Sequence, residues 1–179
     1  EVEIGENYAI IVTTNAGLWR YKIGDTVTFM SVSPYRIKVT GRTKHFINVF
    51  GEELIIDNTD KAIKQATHKT KSEIVDYTAA PIFMEGKSKG AHEWIIEFKT
   101  PPKDLPYFVE LLDDSLKSLN SDYEAKRYNN ITLNRPTIHV AKEGLFYKWM
   151  KRNNKLGGQH KVPRLSNSRQ FLEELLEMN

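Results

Sequence analysis

The sequence predicts an α+β fold, a mixed or antiparallel sheet with packed helices, preceded by a few β-strands. Three observations carry that prediction. The first fifty residues are short β-branched or aromatic runs broken by turn residues, residues 105–119 carry a helical apolar stripe, and strands and helices do not alternate as regular β-α-β units. No self-similar period is visible, which sets repeat architectures aside.

Residues 8–14, 18–21, 26–30 and 36–40 read as strands, with Gly5, Gly17, Gly24-Asp25, Pro34 and Gly41 as turns between them. A meander or a piece of a barrel is expected there. Asp57-Asn58-Thr59 offers a cap ahead of Ala62, Ile63 and Ala66, which share a helical face that should end near Thr70. Residues 74–83 and 93–99 read as two strands around the loop at 85–90, able to pair as an antiparallel hairpin. After Pro101-Pro102, the spacing of Leu105, Phe108, Val109, Leu112, Leu116 and Leu119 predicts an amphipathic helix. Residues 136–140 read as a strand and 145–152 as a short helix rich in aromatic and basic residues. Asn167 with Gln170 resembles a capping box before a last helix carrying Phe171, Leu172, Leu175 and Leu176. A boundary at residues 41–44 separates all-β from mixed sequence and divides the chain into units of 1–42 and 43–179.

Composition narrows the function classes. At 179 residues, with 40% apolar and 27% charged, the chain is long enough to bury a core and too apolar for disorder. It contains no cysteine, so a disulfide framework, a thiolate zinc site and a cysteine nucleophile are excluded within it. No apolar run reaches transmembrane length and no leader precedes the strands, so a chain that stays in water, with no membrane partner and a cytoplasmic address, is expected. The chain opens on Glu1 directly before strand-like sequence and is read as a piece of a longer protein. A net charge of +3 is too small to imply a polyanion partner by itself.

The common phosphate-loop, dinucleotide and nucleophile-elbow patterns are absent. His92-Glu93 opens like a zinc-protease helix, but Ile96 stands where the second histidine belongs, and His45, His68, His139 and His160 are too scattered to nominate ligands, so no metal site is expected. Three segments say more. In the first, residues 17–25, Asp25 follows a Gly between strand-like runs; its carboxylate could accept two hydrogen bonds from a ribose diol, or Gly24-Asp25 could simply be a hairpin turn. Residues 41–54 place Arg42 and Lys44 at the boundary, where a hinge could bring them to an anion or they could merely keep a sheet edge soluble. The third, residues 157–164, sets Lys161 on a glycine-flexible loop, either as a mobile point charge suited to phosphate oxygens or as a solvated side chain.

The order and spacing of Tyr21-x-Ile23-Gly24-Asp25, Gly41-Arg42-x-Lys44 with Gly51-Glu52-Glu53-Leu54, and Gln159-x-Lys161-x-Pro163-Arg164 resembles the C-terminal part of the auxin-responsive Gretchen Hagen acyl acid amido synthetases, most closely a bacterial member, within the adenylate-forming ligase superfamily. The resemblance runs from about residue 8 to 171. It implies ATP- and Mg²⁺-dependent activation of a carboxylic acid to an acyl-adenylate, then attack by an amine or amino acid to form an amide. It further implies that Asp25 holds the ribose hydroxyls, that Arg42 lies near the ribose and phosphate, that Lys44 marks a hinge, and that Lys161 comes over the α-phosphate during adenylation. Arg42 and Lys44 are carried over from the wider superfamily, since plant members have an Arg-Lys-Asn-Val-Leu type of stretch there. The resemblance makes the leading strands the last of a large N-terminal domain that holds the phosphate loop and the adenine and acid pockets. The chain alone is therefore expected to be inactive.

A different class competes. From residue 144 to 172 there are seven basic residues, Lys148, Lys151, Arg152, Lys155, Lys161, Arg164 and Arg169, and no acidic one, with Phe146, Tyr147 and Trp149 interleaved. That pattern fits a single-stranded nucleic-acid or docking module, or aromatics in a core with cations reaching out from a short helix. The near balance of charge elsewhere favours the ligase.

Overall fold

The computed structural model describes residues 2–42, 46–84, 86, 88–130, 132–157 and 161–179. Strands β1 (Asn7–Val12), β2 (Tyr21–Val32) and β3 (Tyr35–Arg42) form an antiparallel meander in the order β1-β2-β3. A two-residue pair, β4 (Phe46–Ile47) with β5 (Leu54–Ile55), leads into α1 (Ile56–Thr70). A second sheet comes next, in which β6 (Glu73–Ile82) pairs antiparallel with β7 (Ala91–Thr100), and β8 (Thr137–Val140) lies parallel to β7. Helices α2 (Leu105–Leu119), α3 (Ser121–Arg127), α4 (Leu145–Arg152) and α5 (Gln170–Met178) complete the chain. This is the expected α+β architecture, with the mixed form of the sheet.

The β6–β7 hairpin is buried on both faces. On one face Tyr77, Ala79, Trp94 and Ile96 meet Ala62, Ile63 and Ala66 of α1 and Phe108, Leu112 and Leu116 of α2. On the other, Ala80 and Ile95 meet Leu145, Phe146 and Trp149 of α4 and Leu172 and Leu175 of α5. Successive side chains of a strand point to opposite faces, so a strand covered on both sides reads as a continuous apolar run. Fully burying one such large side chain contributes about 1.5–3 kcal/mol.

Local chemistry sets the helix boundaries, not always as expected. The α1 helix ends at Thr70, with Lys71 in the left-handed conformation at φ 54°, but starts at Ile56. Its N3 residue Asn58 accepts a hydrogen bond from the Ile55 N–H at 3.3 Å, so Asp57 lies inside the first turn. Asp104 caps α2 through Oδ1 and the Tyr107 N–H at 3.0 Å. Asn167 does not cap α5; its Oδ1 accepts the Asn48 N–H at 2.9 Å, and Ser168 Oγ accepts the Gln170 N–H at 3.3 Å. The α4 helix is capped from another element. Glu97 on β7 accepts the Gly144 and Phe146 N–H groups at 2.7 and 3.2 Å, placing a carboxylate at the positive end of the helix.

Helix α3 has seven residues, too few for periodicity to reveal. It exists because Asn120 ends α2 and caps α3 at once, with Oδ1 accepting the Tyr123 N–H at 2.7 Å. It is then clamped to α2 by buried groups. Asp113 Oδ1 accepts from Tyr123 Oη at 2.8 Å and Arg127 Nε at 2.7 Å, while Oδ2 accepts from Arg127 Nη2 at 2.7 Å. Burial pushes the Asp113 carboxyl up, but the bonds from Arg127 and Tyr123 and the Arg127 charge outweigh it and hold the group below the usual carboxylate range. A lowered folded-state pKa contributes stability at neutral pH that disappears as the pH falls through it. Arg127→Met should cost about 3–5 kcal/mol in urea unfolding, because it strands a buried carboxylate. Asp113→Asn, which cannot titrate, should show a shallower loss of stability on acidification than the wild type, measured by circular dichroism.

Candidate functional site

Asp25 lies inside β2, not in a hairpin turn. Between the pairs Ala9↔Thr26 and Ile11↔Lys22 the chain advances two residues on β1 and four on β2, so Ile23-Gly24-Asp25 forms a bulge. Gly24 stands at φ +91°, a conformation that side-chain-bearing residues rarely adopt, and the bulge re-aims the side chains beyond it. Asp25 pairs in register with Arg42 at the end of β3, so two of the expected site residues share one end of the meander. Beside them a polar chain crosses all three strands: Thr26 Oγ1 and Thr40 Oγ1 are 3.2 Å apart, and Thr40 Oγ1 donates to Asn7 Oδ1 at 2.6 Å. Gly41, expected as a turn, is in β3, where an added Cβ would lie 3.5 Å from Thr26 Oγ1 and 3.9 Å from the Ile56 backbone nitrogen. The expected strand at 18–21 survives only in Tyr21. Residues 13–20 form a loop held by the Thr13 and Thr14 hydroxyls, with Trp19 exposed at 79%.

Lys161 lies in the loop that leads to the edge of the other sheet. It is exposed, and the segment after it, read from the sequence as a Pro-stiffened turn, is bonded to β6. Thr78 Oγ1 donates to the Pro163 carbonyl at 2.6 Å, the Ala79 N–H to the Arg164 carbonyl at 2.9 Å, and the Ser166 N–H to the Ala79 carbonyl at 3.2 Å. Leu165 forms a parallel bridge with Ala79, and Val162 and Leu165 are buried. Arg164 Nη1 reaches both oxygens of Asp60 at 2.7 and 2.6 Å. Tyr77 Oη donates to Asp60 Oδ1 at 2.6 Å, and the Arg164 guanidinium stands 5.2 Å from the centre of the Tyr77 ring. Burial and the Asp60 charge push the Tyr77 phenol up, so it stays a donor. A groove of about 590 Å³ runs past this cluster, bordered by Asp60, Asp76, Tyr77, Lys99 and Arg164. Burial also raises the Asp76 carboxyl, against the charges of Arg164 and Lys161.

Lys44 and Gln159 lie outside the described residues, and of Arg42 the backbone alone is described. The Gly51-Glu52-Glu53-Leu54 motif turns inward: Glu52 is fully buried, its Oε1 2.9 Å from His92 Nε2 and its Oε2 accepting the Phe50 N–H at 2.7 Å. Burial raises the Glu52 carboxyl, and the His92 bond and charge more than offset it, leaving the group below its ordinary value. His92 is therefore a core residue stacked on Tyr123. Among the described residues no group of three or more His, Cys, Asp or Glu could hold a metal ion, and no helix is long and apolar enough to cross a membrane.

The basic stretch at 144–172 is not an open stacking face. Phe146 and Trp149 are buried, Lys155 stands 4.7 Å over the Trp149 ring, Arg164 is held by Asp60, and Arg169 binds Glu93 at 2.6 Å and Glu173 at 3.0 Å. Tyr147 alone of the three interleaved aromatics is exposed. Sequence reasoning missed the Glu52–His92 and Asp60–Tyr77–Arg164 groupings. Their members lie 17 to 104 positions apart, and the local signals were the motif positions of Glu52 and Arg164, which named no partner for either.

Comparison with known proteins gives the family and the fold. The chain is 28% identical to indole-3-acetic acid-amido synthetase GH3.3 of Arabidopsis thaliana, over 92% of this chain and 29% of that protein. It is 26% identical to jasmonoyl-L-amino acid synthetase JAR6 of Nicotiana attenuata, over 92% of this chain and 29% of that one. The chain thus spans about three-tenths of the length of these curated relatives. Its fold superposes on a solved GH3.15 acyl acid amido synthetase with a TM-score of 0.75 at 24% identity, over 100% of this chain and 34% of that one. The model of the GH3 family central domain matches residues 1–42. That of the GH3 family C-terminal domain matches residues 57–170, well over half of the sequence, and the chain belongs to the GH3 family.

Proposed function

We propose that this chain is the C-terminal portion of an ATP-dependent acyl acid amido synthetase. The observation that carries the reading is the alignment of nine-tenths of the chain with named amido synthetases. In the reaction a carboxylate oxygen of the acid attacks the α-phosphorus of ATP and pyrophosphate leaves; an amine or amino acid nitrogen then attacks the acyl carbon, AMP leaves and the nitrogen sheds a proton. Asp25 accepts hydrogen bonds from the ribose hydroxyls, and Arg42 stands beside it toward the ribose and phosphate. Lys161 meets the charge that develops on the α-phosphate in the transition state, where a preorganised cation is worth more than in the ground state. Mg²⁺ accompanies the triphosphate in this reading; among the described residues no group of three or more His, Cys, Asp or Glu is placed to hold it.

The same reading divides the chain into residues 1–42, the last strands of a large N-terminal domain, and 43–179, a small domain that rotates about Lys44 between half-reactions in a cytoplasmic enzyme. Two features support this. Both core clusters draw only on residues from Ile47 onward, and the meander leaves Ile23, Met30, Ile37 and Val39 exposed, as expected of a sheet that packs against more protein. A bacterial source belongs to the same reading. The nucleic-acid alternative loses support because two of its three aromatics are core residues.

In the full-length protein, Lys161→Ala should lower acid-dependent pyrophosphate exchange by about 10²–10³, with much less effect on aminolysis of a supplied acyl-adenylate. Equal damage to both half-reactions would make Lys161 structural. Asp25→Ala should weaken ATP binding by about 1.5–3 kcal/mol, and a 2′,3′-dideoxy analogue should lose little further in that variant, because both changes remove the same hydrogen bonds. Calorimetry measures both. In hydrogen exchange, residues 8–14 should be less protected than the α2 helix; equal, global protection would show one cooperative unit.

A further inference from the structure

The adenylation reading leaves Arg164, the last residue of the Gln-x-Lys-x-Pro-Arg motif, without a task. We propose that Arg164, seated on Asp60 and Tyr77, is a positioning residue that sets where the Lys161 ammonium stands during adenylation; the inference rests on the role proposed for Lys161. Arg164 is held at both ends. Its carbonyl accepts the Ala79 N–H at 2.9 Å, and its guanidinium bridges the two Asp60 oxygens. The carboxylate is itself fixed by Tyr77 Oη at 2.6 Å, and Tyr77 Oη lies 2.9 Å from Thr59 Oγ1, so the pair stands on a hydroxyl relay that reaches the core. Between Arg164 and Lys161 lie Pro163, whose ring fixes φ, and Val162, which is buried. The chain is thus anchored to β6 from two residues after Lys161 onward.

The ion pair adds little to stability, since the side chains of Arg164 and Asp60 are 39% and 43% exposed. Its precision matters more. A displacement of a reacting group by about 1 Å costs on the order of 10²-fold in rate, and Asp60 belongs to α1, so the pair ties the Lys161 segment to a rigid element on the opposite side of β6 from the one Val162 packs against. The same cluster orients Lys161 without touching the nucleotide.

Acid-dependent pyrophosphate exchange by the full-length protein tests this, with thermal unfolding as a check on folding. Arg164→Ala and Asp60→Asn should each lower kcat by about 10–100-fold while the KM for ATP changes by less than about 3-fold. Arg164→Lys, whose ammonium can bridge the same two oxygens, should recover most of the rate. In a Lys161→Ala background Arg164→Ala should cost nothing further, because it acts through Lys161. Exchange lowered by Lys161→Ala but not by Arg164→Ala overturns the positioning role alone, as does an equal loss from Arg164→Ala in both backgrounds. Exchange indifferent to Lys161→Ala removes the adenylation reading and this inference with it.

Discussion

Burial of the β6–β7 hairpin on both faces is the constraint on which the rest of the structure depends. Tyr77 and Trp94 look toward α1 and α2, Ala80 and Ile95 toward α4 and α5, so neither pair of helices can be lost without exposing one side of the same two strands. The stretch after Lys161 pairs with the edge of β6 through the backbone of Ala79. Packing and the candidate chemistry therefore share one strand.

Polar groups inside this frame serve as joints. Glu52 with His92 fastens the turn before α1 to the start of β7, Asp113 with Arg127 fastens α3 to α2, and Glu97 receives the first turn of α4. Each is a buried carboxylate with a dedicated donor. Such a carboxylate is tolerated away from water only when its oxygens are satisfied, so each joint admits few alternative arrangements. Gly90 adds a steric joint: a Cβ there would come within 2.4 Å of the Phe50 ring, so the hairpin tip and the turn before α1 fit together only because that position is bare.

Much of this was legible in the sequence, for physical reasons. The α2 stripe and the β6 and β7 runs are long and apolar, and burial reinforced the local pattern. The meander was legible as β-structure but not in detail, because Gly24 and Gly41 lie within strands, Gly24 in a bulge and Gly41 paired with Thr26 beside a register shift, where a turn is the commoner use of glycine. Helix α3 escaped because seven residues show no periodicity, and the cap of α4 because its acceptor, Glu97, lies 47 positions away. Of the candidate site, Asp25, Arg42 and Lys161 could be named from motif spacing. The pairing of Arg164 with Asp60 could not, since 104 positions separate them and neither lies on an apolar face.

The segment at 162–166 also shields β6. A strand edge with free N–H and C=O groups invites another chain to pair with it, and at Ala79 both groups are already taken by Arg164 and Ser166. Releasing this segment would uncover an edge beside one of the most apolar runs in the chain, a cost in solubility as well as in packing. Displacement of the 162–166 segment relative to β6 would therefore break these backbone bonds, so the segment is expected to travel with the sheet. The backbone three residues after Lys161 thus doubles as the cover of a sheet edge.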